Sequence, residues 1–77
     1  MEISKDHFII NFGVHVRQLR EKNNMSQQDL ANDCNISKRQ IGRIERGEIN
    51  TTLKTIVIIA NALQVEPKEL LNFSIKQ

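Results

Sequence analysis

The feature that most restricts the fold is a connection of three residues, Asn35-Ile36-Ser37, between two segments that each carry an apolar stripe. Before it stand Leu30, Ala31 and Cys34; after it, Ile41 and Ile44. Both sets have helical spacing. Helices joined by so short a turn cross steeply and pack directly on one another. Their closest approach demands a small side chain, which Ala31 supplies. The same pair leaves Lys38, Arg39, Gln40, Arg43 and Arg46 on or near the outer side of its second helix.

Helical spacing recurs along the rest of the chain. Phe8, Phe12, Val16 and Leu19 share one face of a helix running from about Asp6, its expected cap, to Lys22. Asn23 and Asn24 offer a left-handed exit. Ser26 and Asp29 have the spacing of a capping box. Ser37 is the expected cap of the third helix, and Gly47 stands where glycine relieves a left-handed terminus. Thr51 or Thr52 starts a fourth helix, with Leu53, Ile56, Val57, Ala60 and Leu63 as its expected core face. Pro67 fits the first turn of a short fifth helix, followed by Leu70, Leu71 and Phe73. No stretch alternates apolar and polar residues long enough for a half-buried strand. The prediction is an all-α chain, 1–77 as a single domain: a compact five-helix domain with a helix-turn-helix at helices 2 and 3.

Composition removes several function classes. With 77 residues the chain holds one domain and a small core. Cys34 is the only cysteine, so no internal disulfide forms, and it is expected to fill the core as a small hydrophobe. No Cys/His spacing fits a metal site, and His7 and His15 lack companion ligands. No nucleophile, base and oxyanion donor come together, so neither an enzyme nor a cofactor is expected. Without tryptophan or tyrosine there is little material for stacking single-stranded bases. The run Ile56 to Ala60 is far too short to span a bilayer, and the N-terminus lacks a signal-peptide pattern. A reducing, cytoplasmic setting is expected. The net charge of +2 permits nucleic-acid binding without requiring it.

The run Ser26-Gln27-Gln28-Asp29-Leu30-Ala31, then Ile36-Ser37, then Ile41-Gly42-Arg43-Ile44-Glu45-Arg46-Gly47, resembles the lambda-repressor-like, or Cro/XRE-type, helix-turn-helix family. The resemblance extends through Phe12-Gly13-Val14 and through Leu53 to Leu71. It covers residues 8–72, with the helix-turn-helix unit at 27–46. It implies five helices and binding of double-stranded operator DNA, commonly as a homodimer. It implies that Gln27 bonds a phosphate, that Lys38, Arg39 and Arg43 read bases, and that Asn50 meets the DNA backbone. Ser37 and Gln40 suit a phosphate or a base edge. Arg20 and Glu45 match positions that pair in family members. The sequence departs from the pattern at Asn35, where glycine is common, and at Asn50-Thr51-Thr52, where a proline often precedes the fourth helix.

Four consecutive aliphatic residues, Ile56 to Ile59, cannot all face one core on a helix. Ile58 or Ile59 must point elsewhere, either to a satellite contact with the fifth helix or the N-terminal segment or to a dimer surface; the favoured expectation is a dimer surface of Ile58, Ile59, Leu71 and Phe73. The expected function is a sequence-specific transcriptional regulator of repressor or restriction-modification controller type. It would bind a palindromic operator as a homodimer through the major groove, with no membrane and no small-molecule ligand. The alternative is an antitoxin-type interaction module that binds a partner protein as well as DNA.

Overall fold

The structure, a computed structural model, describes residues 2–75; Met1, Lys76 and Gln77, the ends of the expected 1–77 domain, lie outside the described residues. It contains α1 (Lys5–Lys22), α2 (Gln27–Cys34), α3 (Lys38–Glu45) and α4 (Leu53–Leu63), followed by a 3-10 helix, Pro67–Leu71.

Each α-helix opens on a hydroxyl side chain. Ser4, Ser26, Ser37 and Thr52 accept from the backbone N–H of His7, Asp29, Gln40 and Thr55, at 3.3, 3.0, 3.0 and 3.1 Å. Each bond satisfies a donor that the first turn otherwise leaves free. The expected cap of α1, Asp6, lies inside the first turn instead. Ser4 is extended and already reaches the His7 N–H, so the helix starts earlier. At Ser26 the box closes both ways, with the Ser26 N–H donating to Asp29 Oδ2 at 2.9 Å.

The helix ends also share one device. Met25, Ile36, Glu48 and Val65 donate their N–H to the carbonyls of Arg20, Ala31, Arg43 and Ala60, each five residues back. The chain makes this reversal at Asn24, Asn35, Gly47 and Gln64, whose φ angles are 57°, 56°, 72° and 60°. This is the Schellman arrangement. Asparagine at position 35 thus serves the turn where glycine is common. Gly47 has no such latitude, because a Cβ there would stand 2.7 Å from the Ile10 Cα.

The last element is a 3-10 helix and not a fifth α-helix. Five residues are too few to sustain an α-helix alone, and the bonds are of the shorter type, as from Glu69 N–H to Glu66 O at 2.9 Å. Pro67 opens it, where a missing N–H costs nothing.

Phe12, Val16, Leu30, Ala31, Cys34, Ile41, Ile44, Ile56, Ile59, Ala60, Leu63 and Leu70 form the core. The face of α4 differs from expectation. Ile56, Ile59, Ala60 and Leu63, spaced i, i+3, i+4, i+7, are buried, while Leu53 and Val57 are 78 % and 44 % exposed. Val57 lies one residue, or 100°, beyond Ile56 and so turns out of the stripe; Leu53 lies one turn below it. Ile59 therefore belongs to the core and not to a dimer surface. Cys34 is buried, with its thiol 4.0 Å from the Ile58 carbonyl. After the 3-10 helix, Phe73 packs on Phe8 and His15, with ring centroids 5.2 and 5.4 Å apart. His15 Nε2 lies 2.7 Å from the Glu69 carbonyl oxygen. These contacts tie the end of the chain to α1.

Candidate nucleic-acid interface

The orientation of α3 is set from behind by backbone contact and a buried ion pair. Gly13 of α1 lies directly against the last turn of α3. A Cβ there would collide with the carbonyls of Ile44 and Glu45, coming within 2.6 Å of the Glu45 oxygen. Seven residues along α1, Arg20 meets Glu45 side by side. Nε donates to Oε2 at 2.6 Å and Nη2 to Oε1 at 3.0 Å, and the two side chains are 9 % and 3 % exposed. Such a planar fork fixes angle as well as distance. The bonds to the Glu45 carboxylate raise the Arg20 pKa above its ordinary value. Arg20 Nη1 also donates to the Met25 carbonyl at 2.7 Å, gripping the turn before α2.

Gln27 completes the arrangement. Its Nε2 donates to Glu45 Oε1 at 3.0 Å. Glu45 thus joins α1, the first residue of α2 and the end of α3. The Gln27 amide lies half-buried at the edge of the helix pair, its oxygen 3.8 Å from where a Gly42 Cβ would stand. The Arg46 guanidinium lies on the same side of Gly42 as Gln27, its Nη1 3.0 Å from that same Cβ, so glycine there lets Arg46 lie close to the helix.

The outer side of α3 is polar. Lys38, Arg39 and Arg43 are exposed and Gln40 is half-buried. Ser37, Arg39, Gln40 and Arg43 line one open hollow, floored in part by Ile49. Ser37 accepts the Gln40 N–H, which leaves its own hydroxyl proton free to donate outward. Asn50 is exposed in the loop after α3, but it borders hollows that face α1 and not the one lined by Arg39 and Arg43. The structure therefore gathers Ser37, Arg39, Gln40 and Arg43, sets Lys38 beside them, places Gln27 at the edge and holds Asn50 apart. Among the described residues no three His, Cys, Asp or Glu side chains come together to hold a metal ion.

Reasoning from the sequence did not find three elements of this surface: the Gln27–Glu45 bond, the close approach of Arg46 to Gly42 and the carboxylate of Glu48. Glu48 Oε2 accepts from Arg46 Nε at 2.6 Å, and Oε1 lies 3.7 Å from Arg43 Nε. A visible signal existed for the last. An acidic residue directly after the helix-ending glycine is carried back toward the final turn by the Schellman reversal.

Of the expected dimer residues other than Ile59, Ile58 and Phe73 are half-buried against the core, and only Leu71, 45 % exposed, stands open.

Two helices crossing over a three-residue turn, with the second offering a basic face, define a helix-turn-helix domain. The Helix-turn-helix family HTH_3 matches residues 16–70, and the chain belongs to it. Control protein C.BamHI of Bacillus amyloliquefaciens is 48 % identical over 64 residues, covering 82 % of this chain and 79 % of that one. The restriction-modification controller protein C.AhdI of Aeromonas hydrophila superposes with a TM-score of 0.79 at 37 % identity, over 80 % of this chain and 94 % of that one. The controller protein C.Esp1396I, solved as a tetramer in complex with its natural 35 base-pair operator, superposes with a TM-score of 0.73 at 27 % identity, over 84 % and 96 %.

Proposed function

We propose that the protein is a sequence-specific transcriptional regulator of the restriction-modification controller type, acting by occupancy of an operator and not by catalysis. The observation that carries this reading is the basic outer face of α3, presented on a helix that Gly13, Arg20 and Glu45 hold in one orientation. A rigid helix is what a base reader needs, because the groove tolerates little error in angle. Its likeness to control protein C.BamHI and to a controller solved on its operator supports the same reading.

Lys38, Arg39 and Arg43 read bases. Arginine and lysine donate to O6 and N7 of guanine, and each good bidentate contact discriminates by about 1 to 3 kcal/mol. Ser37 and Gln40 flank them on phosphate or a base edge. Gln27 bonds a phosphate through the amide capacity that Glu45 leaves unused, at the positive end of α2. Asn50 meets the DNA backbone only at the margin of the contact, since it lies off the Arg39–Arg43 hollow.

Two recognition helices about 34 Å apart on one side of the duplex require a dimer. Its surface is Leu53, Val57 and Leu71, the open aliphatic residues of α4 and the 3-10 helix. Leu53 and Val57 share a helix face at i, i+4, and Leu71 lines one hollow with Ile56, the residue before Val57. No described helix is long and apolar enough to cross a membrane; an operator reader acts where the DNA is, and the proposed setting is the cytoplasm.

The test is selection of binders from random duplexes, followed by affinity measurements on the selected operator and on random DNA. A palindrome with half-sites one turn apart is expected. Arg39→Ala and Arg43→Ala should lose preference for it, and Gln27→Ala should weaken binding to all DNA evenly. Equal losses by all three variants on both DNAs would overturn the assignment of base readers.

A further inference from the structure

Among the described residues, Glu48 is the one acidic side chain in contact with the arginines of the proposed DNA-reading face. Its position is fixed from both ends. The backbone N–H donates to the Arg43 carbonyl at 2.9 Å as part of the Schellman reversal. The carboxylate then lies between two guanidinium groups. Arg46 Nε donates to Oε2 at 2.6 Å and Nη2 approaches Oε1 at 3.5 Å, while Arg43 Nε stands 3.7 Å from Oε1. The first contact is a direct charge-assisted bond; the last is a loose attraction that a base edge can displace. Hydrogen bonding from Arg46 holds the Glu48 carboxyl below the usual carboxylate range, so it is charged at neutral pH.

The pair adds little to folding. Arg46 and Glu48 side chains are 59 % and 46 % exposed, and ion pairs in such surroundings contribute little to stability. The consequence lies in binding. The Arg46 guanidinium lies against Gly42 on the same side as Gln27 and the start of α2, where a phosphate is expected. Bound to Glu48, it neutralises a carboxylate instead.

We propose that Glu48 is an electrostatic gate that withholds Arg46 from DNA phosphates, so that phosphate attraction alone does not hold the protein on DNA and base contacts become necessary. The gate rests on the DNA-binding reading above and adds to it a residue that limits indiscriminate binding. Arg43, held only loosely, stays free to read bases. Arg46 is released only where a seated complex brings a phosphate close enough to compete for it.

The probe is a random-sequence duplex, which offers phosphates and no matched bases. Neutralising one further phosphate steepens the slope of log K against log salt by about 0.9, which at roughly 0.15 M salt corresponds to about fivefold tighter binding. Glu48→Gln is expected to show both changes, with its helical circular dichroism intact. Glu66→Gln removes a more exposed charge, 71 % exposed and paired with Lys68 at 3.2 Å at the 3-10 helix, and should show neither. The double variant Arg46→Gln/Glu48→Gln should return to the wild-type affinity and slope. If Glu48→Gln behaves as Glu66→Gln does, or if the gain survives in the double variant, the gate is overturned while DNA binding stands. If the wild-type protein shows no salt-dependent binding to any duplex, the DNA-binding reading falls and the gate with it.

Discussion

Replacing Arg20 by leucine removes the positive half of the pair that orients α3. It leaves the Glu45 carboxylate, on a side chain only 3 % exposed, with a single neutral donor, the Gln27 amide at 3.0 Å. It also strips the Met25 carbonyl of its 2.7 Å bond. Breaking a buried pair by deleting one partner costs about 3–5 kcal/mol. The surviving Gln27 bond places the expected loss near the lower end, about 3 kcal/mol. A chain of this length has a total stability of roughly 4–12 kcal/mol, so the variant should lose between about a quarter and three quarters of it and unfold at clearly lower urea than the parent. Urea denaturation followed by helical circular dichroism measures the difference. The second arm is decisive. Arg20→Leu/Glu45→Leu removes both charges and fills the space with apolar atoms, so it should be more stable than either single variant. A loss below about 1 kcal/mol for Arg20→Leu, or a double variant as unstable as the sum of the singles, would refute the reasoning that the pair acts as one buried unit.

Gly13→Ala should destabilise despite a gain in helix propensity of about 1 kcal/mol, because overpacking against an immovable backbone costs about 1–3 kcal/mol or more. A fall in melting temperature by calorimetry checks it, and an unchanged value would mean that α1 and α3 separate without cost. Hydrogen bonds from the Ser26 backbone and side chain hold Asp29 below its ordinary value of 3.8. Its contribution is thus fully present above that value and lost as pH falls through the lower, folded one. Acid titration of Asp29→Asn should show a shallower decline than the parent; parallel curves would count against the capping box as a source of stability. Burial, with the Asp33 charge adding to it, pushes the Cys34 thiol above its ordinary value. Alkylation should therefore be slow in the native protein and rise with the unfolded fraction in urea, whereas rapid native reaction would place the thiol outside the core.

The helix boundaries were legible because they are written in local chemistry. Ser26 and Asp29, Ser37, Asn35 and Gly47 act on backbone groups within a few residues, so spacing alone reveals them. Asp6 misled for the same reason: it is a good cap, but Ser4 stands earlier and reaches the first free N–H. The burial of α4 was less legible. Leu53, Ile56, Val57, Ile58 and Ile59 are alike in hydrophobicity, and two neighbouring stripes fit the sequence equally well. Only packing against α2 and the 3-10 helix decides between them. The surface of α3 was visible as a basic run, yet what positions it was not. Gly13 matters through backbone atoms more than thirty positions away, and Gln27 bonds a residue 18 positions distant. Neither relation leaves a periodic trace.

On the proposed role of Gln27, its bond to Glu45 makes folding and recognition share a side chain, and this has a genetic consequence. A screen for lost regulation would return substitutions at Arg20 and Glu45 beside those at Arg39 and Arg43, though the first two never need to touch DNA. Their signatures differ. A base reader lost from the surface leaves normal amounts of protein that ignores its operator. A defect at Arg20 or Glu45 lowers the amount of intact protein and loosens the Gln27 amide together, so second-site suppressors that only stabilise the helices should restore both. Suppressors of that kind should do nothing for Arg39 or Arg43, and the two groups of alleles would sort themselves by what rescues them.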